Sequence, residues 1–170
     1  VSGLAHGIDA AAHRGGLAGA GSSVAVVGTG LDRVYPAANR ELAHEIARHG
    51  AVVSEFCLGT PPLAENFPRR NRLIAGLSRG VLVVEAALKS GSLTTARLAL
   101  EQGRDVFAVP GSIYSPLSAA PNLMIQQGAT PSLSGWDILE HYRWASRPAK
   151  SAASAPLPEL DEEESTLVTA

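Results

Sequence analysis

One segment near the middle of this chain has the residue types of a phosphate-binding loop. Its polar residues and glycine are Lys89, Ser90, Gly91, Ser92, Thr94 and Thr95. They combine a cation and four hydroxyls with a glycine, which lets a phosphate approach the backbone closely. A helix is predicted to begin here, and the free N–H groups of a helix N-terminus attract anions. Ser92 could instead serve only as the N-cap of that helix. The number of hydroxyls favours a phosphate site.

A second segment, Asn66-Phe-Pro-Arg-Arg-Asn-Arg72, places an aromatic ring beside guanidinium groups. Phe67 could pack against the start of the following helix as a hydrophobic staple. It could also be exposed and stack on a nucleobase, while Arg69, Arg70 or Arg72 binds phosphates. Arg72 could alternatively pair with Glu55 or Glu85 and hold the site together. From the residues alone these interpretations remain open.

Several familiar catalytic and metal-binding motifs are absent from the sequence. Gly28-Thr-Gly30 lacks the third glycine of the dinucleotide-binding fingerprint, and there is no Walker-type ATP loop. The single cysteine, Cys57, excludes a disulfide framework and a cysteine-based zinc site. We therefore expect no metal and no cofactor. Glu55 and Glu85 both end predicted strands, so an enzyme acting on nucleoside monophosphates by acid–base chemistry remains an alternative.

Strands and helices alternate along the chain and would position these segments. Continuously apolar runs predict strands at 23–28, 51–54, 80–85 and 105–110, and helical patterns lie at 7–17, 40–49, 71–78, 93–102 and 122–127. This alternation predicts an α/β fold with a doubly wound, mostly parallel sheet and helices on both faces. Ligands of such sheets bind at the carboxyl ends of the strands. Both polar segments, and the Gly28–Gly30 turn, follow strands and should meet at that edge.

Charge and composition divide the 170 residues into a domain and a tail. Residues 1–150 hold 14 Lys and Arg against 11 Asp and Glu, a net charge of +3, whereas the last 20 residues hold five acidic residues and no basic ones. We expect a globular domain over 1–146 and an acidic linker rich in Ala, Ser and Pro over 147–170. No apolar run is long enough to span a membrane, and a cytoplasmic location is expected.

A series of motifs resembles the DNA processing protein A (DprA, also called Smf) family. The matching segments are Ser2-Gly-Leu-Ala-His-Gly-Ile-Asp-Ala-Ala-Ala-His13, Gly28-Thr-Gly-Leu-Asp32 with Tyr35-Pro36 and Asn39, Ser54-Glu55, Phe67-Pro-Arg-Arg-Asn-Arg72, Glu85-Ala86, Ser90-Gly-Ser-Leu-Thr-Thr-Ala96 and Val109-Pro-Gly-Ser112. Their order and spacing extend over about residues 1–140.

The resemblance implies a Rossmann-like domain that binds single-stranded DNA and has no catalytic activity. It also implies a role in natural transformation, in which incoming strands are protected and loaded with the recombinase RecA, and it implies a homodimer. By motif, Phe67 corresponds to a base-stacking residue, and the groove residues are Arg69, Arg70 and Asn71. The Ser90–Thr95 loop corresponds to a phosphate cradle. The family's preceding strand, with its Gly-Ser/Thr-Arg motif, and its C-terminal domain are not in this sequence, so we expect a fragment of a longer protein.

Overall fold

The computed structural model describes residues 1–19 and 21–145, and the predicted linker lies outside the described residues. The helices in this part of the chain are α1 Ile8–Ala18, α2 Arg40–His49, α3 Asn66–Leu77, α4 Gly91–Glu101, α5 Ala119–Gln126 and α6 Gly135–His141. The strands are β1 Val24–Val26, β2 Ala51–Val53, β3 Gly80–Val83, β4 Asp105–Ala108 and β5 Thr130–Pro131. Short 3-10 helices occupy Ala37–Asn39 and Pro116–Ser118. The predicted α/β class is confirmed.

The strands form two parallel sheets instead of the single sheet that the sequence predicted. In the first sheet β1 pairs with β2, and Ser2 adds a parallel bridge to Ala25 on the other side of β1. In the second sheet the order is β3, β4, β5. β3 is thus an edge of the second sheet, and the Ser2 segment is an edge of the first. The polar segments at the starts of α3 and α4 lie beside these two edges.

Each sheet has its own hydrophobic core. Leu4, Ala25 and Val27 pack with Leu42 and Ile46 of α2 around the first sheet. The second core is formed by small and apolar residues of α3, α4, α5, β3 and β4; it contains Ala75, Val83, Ala96, Ala108 and Met124. These strands are apolar on successive residues because helices cover them, as expected for parallel sheets.

Helix starts differ from the sequence prediction at the two segments of interest. α3 begins at Asn66, five residues earlier than predicted, so Phe67 lies in its first turn and not before the helix. α4 begins at Gly91 and its N-cap is Ser90, which corrects the prediction that Ser92 is the cap. Ser90 has an extended backbone, and its Oγ accepts a hydrogen bond of 3.2 Å from Ser92 N. This is the conformation that an N-cap requires.

A separate compact unit begins at Trp136. Its described part contains most of α6, and the rings of Tyr142 and Trp144 stack with centroids 4.6 Å apart. Over residues 1–19 and 21–145, the helices are too short or too polar to cross a membrane.

Candidate nucleic-acid interface

An open cleft of about 650 Å³ lies along the edge of β3 and brings the two polar segments together. Eight of the residues that the sequence predicted for the site line this cleft: Phe67, Arg70, Asn71, Glu85, Ser90, Gly91, Ser92 and Thr95. The other predicted residues do not line it: Gly28, Gly30, Glu55, Arg69, Arg72, Lys89 and Thr94. The start of α3 and the start of α4 thus face one shared space.

Phe67 is held by the end of β1. A Cβ added to Gly28 would lie 2.9 Å from Cδ1 of the Phe67 ring, so glycine is needed for this approach. Asn66 is buried and its Nδ2 donates a 3.0 Å hydrogen bond to Gly28 O. The Tyr35 ring lies 5.7 Å from the Phe67 ring, at an angle of 34°. These contacts fix a half-buried ring with part of its surface in the cleft.

Gly30 lies where the loops that follow β1 and β2 pack against each other. A Cβ on Gly30 would lie 2.6 Å from Cys57 O, so a larger residue would push apart the two loops that follow β1 and β2. The Gly30 amide also donates a 3.1 Å hydrogen bond to Thr60 O. Gly30 therefore contributes to the packing of these two loops.

Arg70 is buried, which the sequence did not predict. Its guanidinium donates to the backbone carbonyls of Gly3, at 2.9 Å, and of Val26. Burial lowers the pKa of the Arg70 guanidinium, and the nearby Asp9 carboxylate opposes that shift. The side chain joins α3 to the first sheet, so its positive charge is already engaged by backbone and does not project into solvent as a phosphate ligand would.

The other two arginines of this segment are exposed. Arg72 forms an ion pair with Glu55, one of the two partners that the sequence allowed. Both side chains are about half exposed, and pairs of this kind contribute roughly 0–1 kcal/mol. The Arg69 guanidinium lies over the Phe56 ring, 5.9 Å from its centroid. Among the described residues, Arg69 is thus the arginine of α3 that is exposed and forms no ion pair.

The first turn of α4 presents hydroxyls to the cleft. The Ser92 amide is bonded to Ser90 Oγ, and Leu93 N donates to Ser90 O at 3.2 Å. Ser92 and Thr95 line the cleft beside Gly91. Ser92 Oγ accepts a 3.2 Å hydrogen bond from Ser90 Oγ, and Thr95 Oγ1 donates to Gly91 O at 3.5 Å. The start of α4 therefore borders the cleft, and the positive end of the helix dipole there favours an anion.

Acidic side chains outnumber basic ones in the lining of the cleft. Its acidic lining residues are Asp9 and Glu85, against the buried Arg70. Asp9 is partly committed to the backbone, because its Oδ2 accepts hydrogen bonds from Gly3 N at 3.0 Å and Ala5 N at 3.1 Å. Sequence reasoning missed Asp9 and also Tyr35, whose only signal was its place in the family motif series. Over residues 1–19 and 21–145, His, Cys, Asp and Glu form no group of three suited to a metal ion.

Known proteins resemble this chain over most of its length. Protein Smf of Escherichia coli (strain K12) is 55% identical over 145 residues, which cover 85% of this chain and 39% of that protein. A crystal structure of DNA processing protein A from Streptococcus pneumoniae has a TM-score of 0.75 and 51% identity, covering 82% of this chain and 49% of the other.

A structure of DNA processing protein A from Helicobacter pylori, described by its single-stranded DNA binding mode, has a TM-score of 0.74 and 28% identity. It covers 86% of this chain and 66% of the other. This chain spans 39% of the length of its E. coli relative and 51% of that of its S. pneumoniae relative. The family model for DNA recombination-mediator protein A matches residues 1–143, and the chain belongs to that family.

Proposed function

We propose that the cleft binds single-stranded DNA, with a base against Phe67 and a phosphate at the first turn of α4. The observation that supports this most directly is that Phe67, Ser90 and Ser92 line one open space. A half-buried ring fixed by Gly28 and Tyr35 gives a planar apolar surface. Aromatic rings of this kind bind every base through its π-face.

The chemistry of the cleft favours single strands with weak sequence preference. A duplex keeps its bases stacked on each other, so they cannot reach a ring such as Phe67. Stacking and phosphate contacts carry little information about base identity. The H. pylori relative, whose structure is described by its single-stranded DNA binding mode, supports the same ligand.

The biological role we propose is that of the family in natural transformation. The protein would protect incoming single strands and load RecA on them, without catalysis of its own. The family description as a DNA recombination-mediator supports a role in strand exchange. A homodimer and a cytoplasmic location are part of the same proposal.

The competing hypothesis, an enzyme that processes nucleoside monophosphates, has weaker support. It relied on Glu55 and Glu85 as a carboxylate pair. Glu85 lines the cleft, whereas Glu55 does not line it and is paired with Arg72. A single carboxylate with no assembled partner favours binding over acid–base catalysis.

The domain proposed for residues 1–146 includes a place for one further strand. The backbone N–H and C=O groups of the odd-numbered residues of β3 point toward β4. Val83 O, for example, accepts a hydrogen bond of 3.0 Å from Val109 N. The backbone groups of Gly80 and Leu82 therefore point to the cleft. Ser2 forms the opposite wall. A parallel strand from the family's longer polypeptide would fill the part of the cleft between Ser2 and Leu82 and join both sheets. DNA would then occupy the end of the cleft that Phe67 and the first turn of α4 form.

The test compares Phe67→Leu with wild type in binding labelled oligo-dT by fluorescence anisotropy. Leucine keeps the apolar volume but removes the flat ring, so we expect a loss of about 1–3 kcal/mol, roughly 5- to 150-fold. Leu58→Ala is the control, because Leu58 is 74% exposed and does not line the cleft. Thermal melting checks that both variants are folded. Equal affinity of wild type and folded Phe67→Leu, or equal affinity for duplex and single strand, contradicts the proposal.

A further inference from the structure

The loop that follows β4 exposes two large side chains to solvent. It includes residues 109–118, and in it Ile113 is 82% exposed and Tyr114 is 90% exposed. Single exposed apolar residues are common on protein surfaces. An aromatic ring that is almost entirely exposed on a well-fixed loop is a different case, because the fold gains nothing from holding it there.

The loop is anchored at both of its ends. Gly111 and Asn122 exchange two hydrogen bonds, of 3.1 and 2.9 Å, between the Gly111 backbone and the Asn122 amide. At the other end, the Ala86 amide donates to Leu117 O at 2.8 Å. The tip is a tight turn, since Ser112 O accepts from Ser115 N at 3.0 Å. Tyr114 is therefore presented from a defined position.

The loop lies at the same sheet edge as the cleft. β4 pairs with β3 in parallel, so the segments that leave their carboxyl ends are neighbours. Ala86 links the two segments by backbone hydrogen bonds. Its amide donates to Leu117 O, and its carbonyl oxygen accepts from the Ala120 amide at 3.2 Å. Four residues after Ala86 the chain reaches Ser90, the N-cap of α4. The tyrosine loop thus leaves the same edge of the sheet as the segment that leads to Ser90.

The chemistry of the loop suits a nucleic-acid strand. Residues 109–118 contain no Asp or Glu, so a phosphodiester chain can pass without charge repulsion. A tyrosine side chain has only two rotatable bonds, and ordering it against a base costs little conformational entropy. Stacking would also remove from water a ring that is otherwise exposed.

We propose that Tyr114 is a second base-stacking residue, which extends the single-stranded DNA site beyond the cleft. The inference rests on the proposed function. Phe67 would hold one base, the first turn of α4 a phosphate, and Tyr114 a base further along the strand. A short oligonucleotide fills the cleft only, whereas a longer one reaches Tyr114.

The test measures anisotropy with oligo-dT of about four and about 20 nucleotides, lengths that bracket typical single-strand sites. We expect Tyr114→Ala to weaken binding of the longer strand at least fivefold and to leave the shorter one within twofold. Tyr114→Phe keeps the ring and restores wild-type affinity. Leu100→Ala is the control, because Leu100 is 64% exposed at the far end of α4.

Three outcomes overturn the inference in distinguishable ways. Equal affinity of Tyr114→Ala and wild type for the longer strand removes the stacking role while Phe67→Leu still tests the cleft. If the substitution changes only the sedimentation coefficient of the protein, the loop contacts protein instead of DNA. If wild type binds no single-stranded DNA, the proposed function and this extension fail together.

Discussion

Replacing Gly28 with alanine should displace the Phe67 ring without touching any DNA. The new Cβ would lie 2.9 Å from Phe67 Cδ1 and 3.2 Å from Cε1, while its next neighbour, the carbonyl carbon of Asn66, is at an ordinary 3.6 Å. Carbon atoms pack best at about 3.5–4.0 Å, so the ring must retreat by roughly 0.5 Å or more. The Tyr35 ring is also close, with its centroid 5.7 Å from that of Phe67.

Overpacking of this size typically costs about 1–3 kcal/mol. We expect the destabilisation by Gly28→Ala to depend on the Phe67 ring, and a double-mutant cycle tests this. In urea unfolding, we expect Gly28→Ala to destabilise the wild-type protein by that amount. In the Phe67→Ala background it should have an effect within about 0.5 kcal/mol of zero, because the Cβ then meets no ring. In the anisotropy assay, Gly28→Ala should weaken oligo-dT binding measurably, by up to the loss of about 1–3 kcal/mol expected for Phe67→Leu.

Additive effects of Gly28→Ala and Phe67→Ala on the free energy of unfolding would refute a clash with the ring. Gly28→Ala would then be equally harmful with and without the Phe67 ring, and its cost would come from the backbone of the β1 turn. Unchanged oligo-dT affinity in a folded Gly28→Ala protein would contradict a different step, namely that the position of the ring controls binding.

Two further predictions concern salt and pH. Arg69 and Lys89 are the exposed cations next to the site, and together they would neutralise two phosphates of a single strand. In an anisotropy titration, the slope of log K against log[salt] should therefore be about −1.4. A slope steeper than about −3 would require a larger basic surface. Burial lowers the pKa of His13, whose Nε2 accepts a hydrogen bond from Leu4 N at 3.3 Å. The folded state therefore binds fewer protons than the unfolded chain, and the free energy of unfolding should fall by up to about 1.4 kcal/mol per pH unit as the pH drops below about 6.5. Urea unfolding from about pH 8 to about pH 5 should show this slope in wild type and in His44→Gln but not in His13→Gln; an equal slope in His13→Gln would assign it to other groups.

Elements whose determining contacts are local in sequence could be predicted from the sequence. α2 was predicted with its observed bounds, because Leu42, Ala43 and Ile46 repeat with helical spacing and Gly50 ends the helix. The start of α3 was missed because Pro68 was taken to precede the helix. Proline is tolerated in a first turn, where its missing N–H would have no intrahelical partner.

Arg70 shows why the site itself was harder to predict. Its backbone partners lie 67 and 44 residues away in sequence, at Gly3 and Val26. Three neighbouring arginines, Arg69, Arg70 and Arg72, look equivalent as a string of letters. The fold buries the second, pairs the third with Glu55, and leaves the first exposed beside Phe56. Only tertiary structure distinguishes these three environments.

The excess of acidic over basic side chains in the cleft determines which interactions must supply affinity for DNA. Asp9 and Glu85 face the same space as Arg70, whose charge is engaged by backbone, so the lining offers little net attraction for phosphate. Binding must then depend mainly on stacking and on the hydroxyls and dipole at the start of α4. Stacking requires a ring in one orientation, and Gly28 and Asn66 set that orientation although neither would touch a base. Substitutions at these two supporting positions should therefore weaken DNA binding more than the loss of either exposed cation.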